Sequence, residues 1–332
     1  MNGARPTVDL LSRVALAVLV YTFFALTDEQ YRGVSQLYPL LDGFALVGLV
    51  ALGLGATMIA GELDLSVGSM AAVAGIIAIY ASDWGVVPCV LVAVAAAAAF
   101  GAAQGFAIAL LRINSLVFTI GTLIALRGLA FVISNEESVI VSLDNLSISD
   151  SITRKLWIFS PFSLITIAAF LVVGCFMAYT RPGREIYAIG GGRAEALGAG
   201  VSSFRSVVIV FTLSAALAGL AGSLSSLKSG AAQPGAFDSL LLGVVTAALV
   251  GGVSLYGGKG SFVGIAVGAL TLRFLVLGIS SRGAPFYVES LATGALLLAV
   301  LLMELATERG GGVVGRLRSR REPAGDSATL QP

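Results

Sequence analysis

Apolar residues in this chain fall into long unbroken runs, not into the period-two alternation of a half-buried strand or the narrow stripe of a soluble helix. Against the roughly 20 residues needed to cross a bilayer, the runs predict about ten membrane-spanning helices, near 10–27, 39–60, 65–82, 86–111, 116–134, 158–179, 206–226, 239–256, 261–281 and 286–305. Within the first, only Val14 to Thr27 lies between Arg13 and Asp28, a length that also suits the apolar region of a signal peptide. Its Ala25-Leu26-Thr27 end is a poor cleavage site, so it is read as a retained helix. The run at 86–111 is long enough to tilt, or to break near Gly101 and Gly105. The expected fold is therefore an all-α integral membrane protein. It divides into a cytoplasmic segment at 1–9, a membrane domain at 10–305 and a basic, disordered cytoplasmic tail at 306–332.

The polar interruptions between runs are as informative as the runs. Gly61-Glu62-Leu63-Asp64-Leu65-Ser66-Val67-Gly68-Ser69 puts two acids beside hydrocarbon, where they are costly unless solvated or hydrogen-bonded. A loop or interrupted helix is expected there, with Asp64 capping the following helix and Ser66 helping. Two connectors are longer than usual. The outer one, 135–157, carries acids, Arg154 and Lys155 among serines and suits a solvated face open to a partner. In the inner one, 181–205, Arg193 to Leu197 are good helix formers bracketed by glycines. A short cytosolic docking helix and a purely topogenic basic loop fit that composition equally. Glycine and alanine recur at four-residue spacing in Gly260/Gly264/Gly268, Gly101/Gly105, Ala215/Gly219 and Ala218/Gly222, a pattern that lets helices pack closely within one chain or across a dimer.

Composition agrees: 57% hydrophobic and 12% charged residues, with a mean hydropathy of +0.95, against about 25% charge in a soluble domain. A net charge of +1 says little about partners. The sign of the connectors says more, because basic loops stay in the cytoplasm. With the N-terminus inside, Arg5, Arg13, Arg112, Arg181, Arg184, Arg193, Arg205, Lys259, Arg309, Arg316, Arg318, Arg320 and Arg321 lie inside, against Arg32, Arg154, Lys155, Lys228 and Arg282 outside. Both termini are thus expected in the cytoplasm.

Candidate chemistry is mostly excluded. The chain has two cysteines, both within apolar runs, and no histidine, so neither a disulfide framework nor a transition-metal site is expected. Gly257-Gly258-Lys259-Gly260-Ser261 lacks the first glycine of a phosphate-cradling loop, where Val253 stands, and has Gly260 after the lysine. A tight cytoplasmic turn is expected instead, and any ATP must be handled by a separate subunit. No acid falls at the centre of a span, which disfavours proton coupling, and no paired carboxylates at a shared depth suggest an enzyme. Arg127 and Arg273 are the cations within spans, each needing a water-filled space, a carbonyl cluster or an outward reach.

Three stretches resemble one family. The break resembles the G-I-D-L-S-V-G-S signature of ribose-type sugar permeases of ATP-binding-cassette (ABC) importers, through Gly61, Asp64, Leu65, Ser66, Gly68 and Ser69. The inner loop resembles R-x-G-R-x-I-Y-A-x-G-G-N through Arg181, Gly183, Arg184, Ile186, Tyr187, Ala188, Gly190 and Gly191, with Gly192 and Ala199 as departures. Ala232-Gln233-Pro234 and Gly251 to Gly260 resemble the family's A-Q-P and G-G-T-S-L-x-G-G-K-G, and the order holds from about Gly33 to Met303. Between Ala236 and Ala248 the family's acidic G-Y-E-L-D-A-I run is replaced by Phe237-Asp238-Ser239-Leu240-Leu241-Leu242-Gly243.

The resemblance implies a permease subunit in a bacterial inner membrane. It would carry a monosaccharide or small polyol beside a second permease copy or paralogue, with cytoplasmic ABC ATPases and an external solute-binding protein as partners. The chain would bind no cofactor or nucleic acid and perform no covalent catalysis. Arg184, Tyr187, Gly190, Gly191, Arg193, Ala194, Glu195, Ala196 and Gly200 would form the coupling loop to the ATPase. Asp64 would lie near the inner part of a pathway lined by Asn114, Ser115, Thr119, Thr122 and Arg127. A related permease for autoinducer-2, rhamnose, a nucleoside or a branched-chain amino acid is the alternative, followed by a self-sufficient secondary carrier.

Overall fold

A computed structural model describes residues 5–142 and 147–319, with side chains over 10–142 and 147–303. Among the described residues, eight helices are long and apolar enough to cross a membrane. They are α1 (Arg5–Thr27), α2 (Leu37–Ile59), α4 (Val86–Leu111), α5 (Ser115–Ser134), α7 (Pro161–Tyr179), α10 (Ser203–Ser229), α12 (Phe262–Ser280) and α13 (Phe286–Ser319). The last continues past the expected end of its span at 305.

The third and eighth expected spans are shorter than the sequence runs suggest. Helix α3 is Val67–Tyr80 and α11 is Leu240–Val250, of 14 and 11 residues. At 1.5 Å per residue they reach about 21 and 17 Å, short of the roughly 30 Å hydrocarbon core. Leu65, Val253 and Leu255 kept the runs apolar, but their backbone lies in turns. Both short helices are apolar on every side and pack inside the molecule, with Ala71, Ile76, Ala78, Val244, Ala247 and Ala248 fully buried.

Close packing around them follows from missing side chains. Along α4 the buried stripe runs Cys89, Ala93, Ala97, Gly101, Gln104, Gly105, Ile108, at the helical period. Gly101 and Gly105 meet Phe211 of α10, Gly219 of α10 meets Ala97, and Gly222 meets the Ala71 backbone of α3. Gly264 and Gly268 of α12 meet Ala247 and Gly251 at the end of α11. The small-residue seams foreseen along the chain thus close within one chain.

Connectors sort to two ends. At one, Lys228 pairs with Asp42, Ser160 Oγ donates to Asp42 at 3.2 Å, and Tyr38 Oη donates to the Thr153 carbonyl at 2.7 Å. There the 135–157 connector is partly built: β1 (Val139–Ile140) pairs antiparallel with β2 (Ala231–Ala232), and α6 (Ser147–Thr153) buries Ile148 and Ile152. At the other end lie α8 (Arg181–Gly191), α9 (Arg193–Gly198), the 60–66 break and the 251–260 turn. The 181–205 connector is therefore helical over most of its length, beyond the single short helix expected.

Candidate functional site

Three glycine-rich segments meet at this second end. Gly258 N–H donates to the Ile59 carbonyl at 2.8 Å, and a Cβ added at Gly190 would strike that same carbonyl. Gly257, at φ +84°, lies against Gly61 and the Gly190 carbonyl, a conformation and proximity that only glycine accommodates. Tyr187 Oη donates to the Gly260 carbonyl at 3.0 Å, and burial pushes its phenol pKa up. The lysine-bearing glycine turn is thus a structural turn, its Gly258 N–H spent on α2.

Partial charges at the short helices are complemented. Glu62 and Asp64 precede the N-terminus of α3, and the Arg13 guanidinium of α1 lies against Gly252, just past the C-terminus of α11. Both placements oppose the helix dipole.

Within the break, successive residues grip different helices. Glu62, 7% exposed, pairs with Arg193 of α9 at 2.5 Å. Leu63 N–H donates to Ser115 Oγ at 3.2 Å and its carbonyl accepts from Thr119 Oγ1 at 3.1 Å, both on α5. Asp64 is buried and accepts from Ser66 N–H and Oγ (3.1 and 2.5 Å), Gln104 Nε2 of α4 (3.2 Å) and Ser214 Oγ of α10 (2.8 Å). The unpaired peptide groups and carboxylate that make a break expensive are thereby satisfied.

Asp64 is not the helix cap expected from its position. Ser66 is the N-cap residue of α3 and makes no side-chain capping bond, while the Asp64 carboxylate closes a turn onto Ser66 and ties α4 to α10. Leu65, Gly68 and Ser69 follow it, with Gly68 backed against the Phe237 carbonyl. Sequence reasoning missed Gln104, Ser214 and the Glu62–Arg193 pair. A lone amide within the apolar run 86–111 was the available signal for Gln104.

In the inner loop, Ala196 is buried, whereas Ala194, Glu195 and Leu197 face outward. Arg184 donates to the Tyr179 carbonyl at 3.2 Å, and Arg181 pairs with Glu185 at 2.8 Å. Arg181, Arg184, Glu185, Ala188, Ala199, Gly200 and Val201 line a shallow cleft of about 290 Å³.

Of the residues expected along a pathway, Ser115 and Thr119 hold Leu63, and Asn114 caps α5 through Leu116 and Val117 N–H. Thr122 continues the partly buried stripe of Ser115 and Thr119, donating to the Thr119 carbonyl at 3.2 Å, whereas Arg127 lies on the open side of α5. There Gly121 and Gly128 have no neighbour within 4 Å, and Arg127 pairs with Asp238 at 2.5 Å with both side chains partly exposed. Arg273 fits its guanidinium into the space left by Gly43, and its buried Nε has no hydrogen-bond partner among the described residues.

A bundle of helices long and apolar enough to span a membrane, with two shorter buried helices and loops that lock together at one end, describes a polytopic membrane protein. The chain belongs to the family described as branched-chain amino acid transport system / permease component, whose model matches residues 39–301. It is 32% identical over 300 residues to the ribose import permease protein RbsC of Escherichia coli, covering 88% of this chain and 92% of that one. It is 30% identical over 306 residues to the L-arabinose ABC transporter permease protein AraH of Azospirillum brasilense, covering 89% and 88%. The D-allose transport system permease protein AlsC of Escherichia coli is 27% identical over 293 residues, covering 87% and 89%. No solved structure matches the chain.

Proposed function

We propose that this chain is the membrane-spanning subunit of an ABC importer for a monosaccharide, with hydrolysis done by a separate cytoplasmic ATPase and cargo delivered by an external binding protein. The observation that carries the reading is the likeness to sugar permeases along nearly the whole of both chains. In the proposed assembly the end where α8, α9, the break and the 251–260 turn meet, the hub, faces the cytoplasm of a bacterial inner membrane, and Ala194 and Leu197 of α9 present the ATPase contact. The cleft beside α8 receives part of the same partner. The open side of α5 faces the pathway shared with a second permease copy: an arginine–aspartate pair left half-exposed beside open glycines needs water, not lipid, around it.

The test is reconstitution of the chain with its ATPase and binding protein in proteoliposomes, supplied with ribose, L-arabinose, D-xylose or D-allose. ATP-dependent accumulation of one of these is expected, and none without the ATPase. Uptake that persists without ATPase or ATP would replace the reading with a secondary carrier. Leu197→Asp is expected to abolish ATPase co-purification without unfolding the chain, because Leu197 is 51% exposed. Unchanged co-purification and uptake would remove α9 as the contact.

A further inference from the structure

We infer that Glu62, Leu63 and Asp64 form the joint through which movement of α9 reaches α5, with the Glu62–Arg193 ion pair as the transmitting link. The inference rests on the importer reading and adds to it the contact that carries the motion.

Three neighbouring residues have three separate attachments. Glu62 is held at 2.5 Å by Arg193, 131 positions away on the exposed helix that follows α8. One residue on, both peptide groups of Leu63 are held by α5 side chains, the N–H by Ser115 and the carbonyl by Thr119. One further, Asp64 is anchored to α4 and α10 through Gln104 and Ser214. Asp64 is thus the fixed point, buried between α4 and α10, and α5 is the element free to respond, since its far side is open at Gly121 and Gly128. A displacement of Arg193 acts on Glu62 and passes, one peptide later, into Ser115 and Thr119. The glycine contacts beside the joint, at Gly61, Gly190 and Gly257, have no side chains to interlock and allow sliding, so they hold the segments together without carrying the pull. Glu62 is buried whereas Arg193 is half-exposed, so the pair cannot be replaced by water on one side without leaving a buried carboxylate unpaired.

The experiment uses the complete permease–ATPase complex in proteoliposomes, with Cys89 and Cys175 replaced by alanine and a single reporter, Val117→Cys or Ile124→Cys, on the exposed side of α5. The rate of labelling by a soluble maleimide is compared without nucleotide and after trapping with ATP and vanadate, which needs no knowledge of the cargo. With Arg193 intact, trapping is expected to change the rate at one reporter by at least about fivefold, the lower end of ordinary coupling between sites. Arg193→Ala is expected to remove that change while ATPase binding persists, and Arg193→Lys to restore it; a merely structural role would not separate binding from response in this way. Ser115→Ala with Thr119→Val, cutting the other side of the joint, is expected to remove it as well. Should Arg193→Ala fail to assemble, Glu62→Gln interrogates the same link. A response in Arg193→Ala equal to that of the unaltered chain, or no response at either reporter in an unaltered chain that binds ATPase, overturns the joint alone. Failure of the unaltered chain to bind any ATPase overturns the importer reading and the joint together.

Discussion

Asp64 shows how one carboxylate can tie three segments, the break itself, α4 and α10. Its oxygens accept from Ser66, Gln104 and Ser214, so removing it strips the Ser214 hydroxyl of its acceptor and leaves Ser66 and Gln104 only their long contact with each other, at about 1–3 kcal/mol for each buried group left unsatisfied. Asp64→Leu is therefore expected to lower the thermal midpoint sharply and to reduce the yield of folded protein in detergent. Asp64→Asn keeps one acceptor oxygen and gains a donor that the Ser214 hydroxyl can accept, so it is expected to fold with a midpoint close to that of the unaltered chain. Thermal unfolding of the two variants side by side checks this; equal midpoints would show that the carboxylate holds nothing together. The sequence showed that Asp64 needed partners, because an acid beside hydrocarbon is costly. It could not show which ones: Gln104 and Ser214 lie 40 and 150 positions away, and nothing local in either stretch points to the other. For the same reason the inward turn of Ala196 was invisible, since a six-residue helix has too few positions to show a buried stripe.

Among elements, glycine marks two opposite situations that look alike along the chain. Gly222 of α10 lies against the Ala71 backbone of α3, whereas Gly128 of α5 has nothing within 4 Å. Gly222→Val must push α3 and α10 apart, and overpacking of this kind costs about 1–3 kcal/mol. It is expected to destabilise the fold, whereas Gly128→Val should fold normally and reduce uptake by narrowing the proposed pathway. Thermal midpoints and proteoliposome uptake separate the two; normal uptake by Gly128→Val would detach that face of α5 from transport. The four-residue spacings revealed helices that pack closely, and the structure supplies their partners. Span lengths were less legible, because hydropathy counts side chains and is blind to the turns that stop α3 and α11 while Leu65, Val253 and Leu255 continue the apolar run.

For the whole molecule, charge grouped the connectors into two sets, and the structure gathers those sets at two ends: the break, the 181–205 connector and the 251–260 turn at the hub, the 135–157 connector with Lys228 and Asp42 at the other. Placing the hub in the cytoplasm predicts that single cysteines at Ser147 and Gly198, in a chain lacking Cys89 and Cys175, react oppositely with an impermeant thiol reagent in intact cells. Ser147→Cys should label and Gly198→Cys should not; labelling of both, or the reverse order, would overturn the orientation. Both positions are exposed, and a side chain at Gly198 meets nothing within 4 Å, so neither substitution disturbs the fold.

The Asp64–Ser214 bond also sets a schedule for synthesis. Ser214 emerges from the ribosome 150 residues after Asp64, a delay of about 8–30 s at bacterial elongation rates. Throughout that interval α3 is too short to span the bilayer and lacks the helix that buries it. The first half of the chain must therefore wait at the insertion machinery, its acidic break still hydrated, until α10 arrives.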